Sequence, residues 1–110
     1  MSEIEKTRKY VQMVADHRGW ILQPEEDHLN GLIEGLATNL ERFGYRSCPC
    51  RLASGEKEKD RDLICPCDYA PPDIQEFGHC YCALFFSKRY LDKGGKTRKI
   101  PERRPEDKMY

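Results

Sequence analysis

The sequence has no surplus of either charge. Its 19 basic and 19 acidic residues cancel, so global charge favours neither nucleic acid nor a membrane as partner. No apolar run approaches transmembrane length. The stretch from Met1 to Arg18 carries Glu3, Glu5 and Asp16; it is neither an apolar signal segment nor an Arg-rich, acid-poor transit peptide. These absences predict a cytoplasmic protein, although a mature organelle protein stripped of its presequence would read the same way. No repeat of solenoid period occurs. Apolar residues are themselves scarce, at 38% of 110 residues with a mean hydropathy of −0.83. A single domain this small and polar gains much from an internal staple, either a metal site or disulfides.

What is present begins with helical signals. Ser2 and Glu5 fit a capping box, and Ile4, Thr7, Val11 and Val14 follow at helical spacing up to a stop at Gly19. A second helix is predicted from near Pro24, with Glu25, Glu26 and Asp27 complementing its dipole. Its apolar stripe is Leu29, Leu32, Ile33, Leu36, Leu40 and Phe43, and Gly44 ends it. Gly31 and Gly35 lie one turn apart; they either admit a close neighbour or are tolerated weak points. Beyond Tyr45 the pattern breaks into short segments, with a charged helix predicted within Glu56 to Ile64 and a single turn from Asp73 to Phe77. The run from Ala83 to Phe86 fits a strand or a buried helix start. The fold class expected is mainly α: one small domain of short helices, residues 1–87, with cysteine-bearing loops, then a basic Pro/Gly-containing tail, residues 88–110. That tail reads as extended, with polyproline character, and ordered by docking.

All six cysteines fall between Tyr45 and Phe86, as Cys48-Pro49-Cys50, Cys65-Pro66-Cys67 and Cys80-Tyr81-Cys82. In extended backbone, residues i and i+2 project from one face, so both sulfurs of a pair can approach one object. Proline stiffens two of the pairs. A zinc site usually takes C-x₂₋₄-C spacing and four ligands, so three C-x-C pairs fit it poorly. A [4Fe-4S] cluster also takes four thiolates, and the two left over are the number a redox-active disulfide requires. Three structural disulfides suit a cytosolic location less well. Spacing alone leaves open a zinc or iron–sulfur interaction module and a simple one-electron carrier, and it does not say which four cysteines are ligands.

The ordered pairs Cys-Pro-Cys, Cys-Pro-Cys and Cys-x-Cys, the last followed by a short apolar run, resemble the catalytic (beta) chain of ferredoxin:thioredoxin reductase. The likeness is close over Cys48 to Phe86 and loose over the two preceding helices. It implies an oxidoreductase, a ferredoxin-dependent disulfide reductase, with a [4Fe-4S] cluster held by Cys48, Cys65, Cys67 and Cys80. It also implies a redox disulfide joining Cys50 to Cys82. Ferredoxin would donate electrons, a thioredoxin or glutaredoxin-like protein would accept them, and a variable subunit is a further partner to consider. By the same resemblance, one electron opens the disulfide, Cys82 stays at the cluster and Cys50 attacks the partner disulfide. Two departures stand out. The family's third pair is normally Cys-His-Cys, whereas here Tyr81 fills the middle and His79 precedes the pair. The loops, of 14 and 12 residues, also differ from the family's. His79 is the candidate proton handler, with an ordinary loop histidine as the plain alternative. Tyr81 reads as a packing lid over the sulfurs.

Charge is unevenly spread. From Lys88 to Tyr110 nine basic residues meet four acidic ones, a surplus of 9 − 4 = +5. Such a segment would attract an acidic ferredoxin, would serve as a solvated tail, or would pack back on the acidic remainder of the chain.

Overall fold

The computed structural model describes residues 2–51 and 53–105. Helix α1 (Glu3–Arg18) starts where the capping signal lies, with Ser2 Oγ accepting from the Glu5 N–H at 3.2 Å. It stops at Gly19, whose φ of 74° is the left-handed conformation that glycine adopts cheaply. Strand β1 (Trp20–Leu22) follows, then α2 (Glu26–Phe43), which begins two residues beyond Pro24 and stops at Gly44. Between Tyr45 and Phe86 lie the short helix α3 (Lys57–Asp60), a 3₁₀ turn (Arg61–Leu63), α4 (Ala70–Phe77) and the start of β2 (Phe85–Ser87). Helix α4 is longer than the single turn predicted, because prolines fit a first helical turn and Pro71 and Pro72 stand there. Helix α5 (Lys88–Asp92) comes next, capped by Ser87 Oγ.

The domain is about half helical, and it also contains a small sheet. Strand β1 pairs antiparallel with β2, Ile21 opposite Phe86. The Ala83–Phe86 run therefore leads into a strand. No helix among the described residues is long and apolar enough to cross a membrane.

The core is the α1–α2 interface continued into the cysteines. Val11, Val14 and Ala15 meet Leu32, Ile33 and Leu36, and the same buried cluster takes in Cys48, Cys65, Cys67, Cys80, Cys82, Leu84 and Phe85. Fully burying a side chain such as Ile33 or Leu36 contributes about 1.5–3 kcal/mol. The two α2 glycines differ sharply. A Cβ at Gly31 would meet nothing, whereas one at Gly35 would lie 2.8 Å from Pro49 Cβ. Gly35 thus lets α2 approach the ring between Cys48 and Cys50. Gly35→Ala is expected to destabilise the protein by about 1–3 kcal/mol. Gly31→Ala, at an exposed helical position, should stabilise it by about 0.5–1 kcal/mol. Chemical denaturation of the two variants checks both signs.

The segment after β2 does not stay extended. Past α5, residues 93–105 return over the body: Ile100 is buried, Arg103 pairs with Asp73 and Glu76, and Arg104 pairs with Asp62. Within the described residues, this basic segment lies on the chain's own acidic surface. Its last five residues, from Glu106 to Tyr110, and the expectations placed on them, fall outside the described residues.

Candidate functional site

Backbone pairing brings the first two cysteine motifs together. Ser47 and Ile64 form an antiparallel bridge. The Cys48 N–H donates to the Leu63 carbonyl and the Cys65 N–H to the Arg46 carbonyl, each at 2.8 Å. Helix α1 anchors the second motif, through Tyr10 Oη donating to the Cys65 carbonyl at 2.6 Å. Helix α2 anchors the first, through Asn39 Nδ2 donating to the Ser47 carbonyl at 2.9 Å. The third motif closes a hairpin in which the Cys80 N–H bonds the Phe85 carbonyl and the Ser87 N–H the Gly78 carbonyl. Ala83, at a φ of 62°, turns the chain there, and buried Gln23 donates to its carbonyl at 3.0 Å.

The first and third pairs sit in turns rather than extended backbone. The Arg51 N–H reaches the Cys48 carbonyl and the Ala83 N–H the Cys80 carbonyl, both i to i+3. The turn separates the two sulfurs of the first pair. Cys48 faces inward with Cys65, Cys67, Cys80 and Cys82, all buried, while Cys50 is exposed. The five buried cysteines line one cavity with Pro49, Pro66, Ala70, Leu84 and Phe85 as apolar wall. Tyr81 also lines it, in keeping with a lid. Cys48 Sγ and Cys82 Sγ lie 2.7 Å apart.

Donors reach this sulfur nest from two sides. The Phe85 N–H points at Cys80 Sγ at 3.4 Å. Arg51 Nη1 lies 3.5 Å from Cys67 Sγ and 3.9 Å from Cys48 Sγ. That guanidinium lies over the rings of both Tyr69 and Tyr81, and Glu102 holds its other edge through Nε at 2.8 Å and Nη2 at 2.5 Å. Neither Arg51 nor Glu102 carried any signal in the sequence beyond Arg51 directly following the first pair.

Burial, reinforced by neighbouring thiols, pushes Cys65 well above the ordinary thiol value. Burial also takes Cys80 to about 12 and raises Cys67. Hydrogen bonding within the Cys48–Cys50–Cys82 trio splits its members. Cys48 rises to about 11 and Cys82 rises too, whereas Cys50, accepting from both, falls to about 4. The shifts run toward an ionised Cys50 at the surface and protonated thiols in the cavity, whose ionisation a bound cation would favour. This donor set fits thiolate ligation of iron. Among the described residues, however, no three Cys, His, Asp or Glu side chains are set out as ligands of one metal ion.

His79 is placed otherwise than a free proton carrier would be. It is fully buried, its Nδ1 lies 2.7 Å from the Cys80 carbonyl, and its Nε2 accepts from the Arg98 N–H at 3.2 Å. An acceptor Nε2 puts the ring proton on Nδ1, donating to Cys80. The ring packs on Phe86 and does not line the sulfur cavity. In this geometry it ties the C-terminal segment to the third pair.

A sequence profile described as "Ferredoxin thioredoxin reductase catalytic beta chain" matches residues 1–105. The chain belongs to that family. Its members are oxidoreductases. Two curated relatives carry the name "Ferredoxin-thioredoxin reductase, catalytic chain", from Porphyra purpurea and Pyropia yezoensis. Each is 27% identical over 84 residues, covering 76% of this chain and 70% and 71% of theirs. The family thus inferred from the three C-x-C pairs is the one found over nearly the whole length.

Proposed function

We propose that the protein is a ferredoxin-dependent disulfide reductase whose Cys48, Cys65, Cys67 and Cys80 hold a [4Fe-4S] cluster and whose Cys50 and Cys82 form the active disulfide. The observation that carries this reading is the division of the six cysteines. Five are buried around one cavity, and Cys50 alone among them is exposed. When bound, the cluster would let a one-electron donor reduce a disulfide that needs two electrons, by splitting the reduction into two single-electron steps.

The chain's own residues do the rest. With the disulfide opened, the Cys50 thiolate attacks a partner disulfide; one new S–S bond forms, and one partner sulfur leaves as thiolate. Cys82 then attacks Cys50 Sγ, the Cys50–Cys82 bond re-forms, and the second partner sulfur departs. Two electrons and two protons have then passed to the partner. The apolar wall of Leu84, Phe85 and the two prolines keeps water from the buried sulfurs. Proton delivery by His79, the role sequence position suggests, requires its Nε2 to give up the Arg98 N–H.

The acceptor in this reading is a thioredoxin or glutaredoxin-like protein, and the donor a ferredoxin. A variable subunit and a cytoplasmic location remain part of the proposal. Iron and sulfide analysis with a thiol count tests it. Four irons per chain, with two thiols that titrate only after reduction, are expected. One zinc, or four irons with no reducible pair, would return the protein to the interaction-module or electron-carrier reading.

A further inference from the structure

We propose that Arg51 is a positioning residue of the redox site, setting the charge felt at the Cys48 and Cys67 sulfurs, and that Glu102 of the C-terminal segment sets how much of that charge arrives. The inference rests on the cluster reading above and extends it to two residues outside the cysteine motifs. Arg51 is 9% exposed, and its side chain could have gone to solvent from a turn beside an exposed Cys50. Instead one edge of the fork faces the two sulfurs and the other meets Glu102 across 51 residues of sequence. The Arg51 Cζ also lies over the Tyr69 and Tyr81 rings, 5.2 and 4.4 Å from their centroids, which helps hold the guanidinium in place. Four thiolates around an iron–sulfur group concentrate negative charge, and adding an electron adds more. A buried cation at 3.5 Å from one sulfur favours the reduced form, since such sites are tuned by net charge and by hydrogen bonds to sulfur. Glu102 opposes that effect while holding the fork in place. A purely mechanical clasp for the C-terminal segment would use the same ion pair but need not face sulfur.

Spectroelectrochemical titration of the anaerobically purified holoprotein separates the two roles, with iron per chain and the unfolding midpoint measured alongside. Arg51→Gln should move the reduced-to-oxidised ratio at fixed potential about tenfold toward oxidised, a shift of about 59 mV for one electron. Glu102→Gln keeps an amide oxygen for the guanidinium but loses the charge, and should shift the ratio the opposite way. Arg51→Lys should return most of the wild-type potential. Unchanged potentials in both Gln variants, or shifts of the same sign accompanied by equal losses of stability, would overturn the proposal. Should Arg51→Gln lose its iron, the signs for Glu102→Gln and Arg51→Lys decide the matter. A wild-type chain that binds no iron–sulfur group fails at the iron analysis instead, and overturns the functional reading on which the proposal stands.

Discussion

Cys50→Ser is expected to keep its full iron content and lose disulfide reduction down to background, while Cys65→Ser and Cys67→Ser lose iron and fold together. The contrast follows from where the sulfurs are. Cys50 is exposed on the turn, outside the cavity lining, so removing its thiol takes away the proposed nucleophile and only its hydrogen bonds to Cys48 and Cys82, not an apolar core contact. Cys65 and Cys67 are each 7% exposed and belong to the same buried cluster as Leu36 and Phe85. A small domain whose core is partly sulfur couples ligand binding to folding. Iron analysis, visible absorption and a turnover assay on the three variants check this. A colourless, unfolded Cys50→Ser protein would show that Cys50 is a ligand and the assignment is wrong.

The second large effect is expected at Arg104. Its side chain is 3% exposed and that of Asp62 8%, and Nε meets Oδ2 at 2.8 Å. Tyr69 Oη donates to the same carboxylate at 2.5 Å. Removing one partner of such a pair strands a buried charge, so Arg104→Met should cost about 3–5 kcal/mol in denaturant unfolding. The double variant Asp62→Leu with Arg104→Met should recover much of that loss, because it leaves no unpaired charge. The pH dependence has a fixed sign. Burial alone would raise the Asp62 carboxyl, but the hydrogen bonds from Arg104 and Tyr69 outweigh it and hold the group below its ordinary value. The pair therefore stabilises the fold above the unfolded carboxyl's value of about 3.9, and that contribution fades as pH falls through the lower folded value. Acid unfolding of the double variant should begin less steeply below about pH 4. Equal acid profiles for the two proteins would mean that Asp62 is not ionised in the fold.

Local signals were legible where they act within one turn. Ser2, Gly19 and Gly44 mark helix ends because capping depends only on neighbouring backbone. The start of α4 was placed too late, at Asp73, because Pro71 and Pro72 just before it occupy the helix's first turn. Strand β1 gave no signal at all. Three residues make a strand only by pairing with Phe85–Ser87, and no periodicity can be counted over so short a span. The C-terminal segment read as an extended tail from its Gly, Pro and basic content, with packing back on the acidic surface as one alternative. Its destination depends on Asp62, Asp73 and Glu76, which spacing cannot connect to Arg103 and Arg104.

The sequence by itself narrowed the chemistry and pointed to the family. Six thiols in three C-x-C pairs limit the options to a few sulfur sites, and their order resembles the family whose profile matches residues 1–105. Tertiary structure alone decided where each group sits. A turn at Pro49 sends Cys48 inward and Cys50 outward, the His79 ring is engaged at both nitrogens, and Arg51 is drawn against the sulfurs by a glutamate from the far end of the chain. Residue type fixes what a group can do. Burial, and the partners it finds across long stretches of sequence, fix which group does it, because desolvation and charge pairing act through space rather than along the chain.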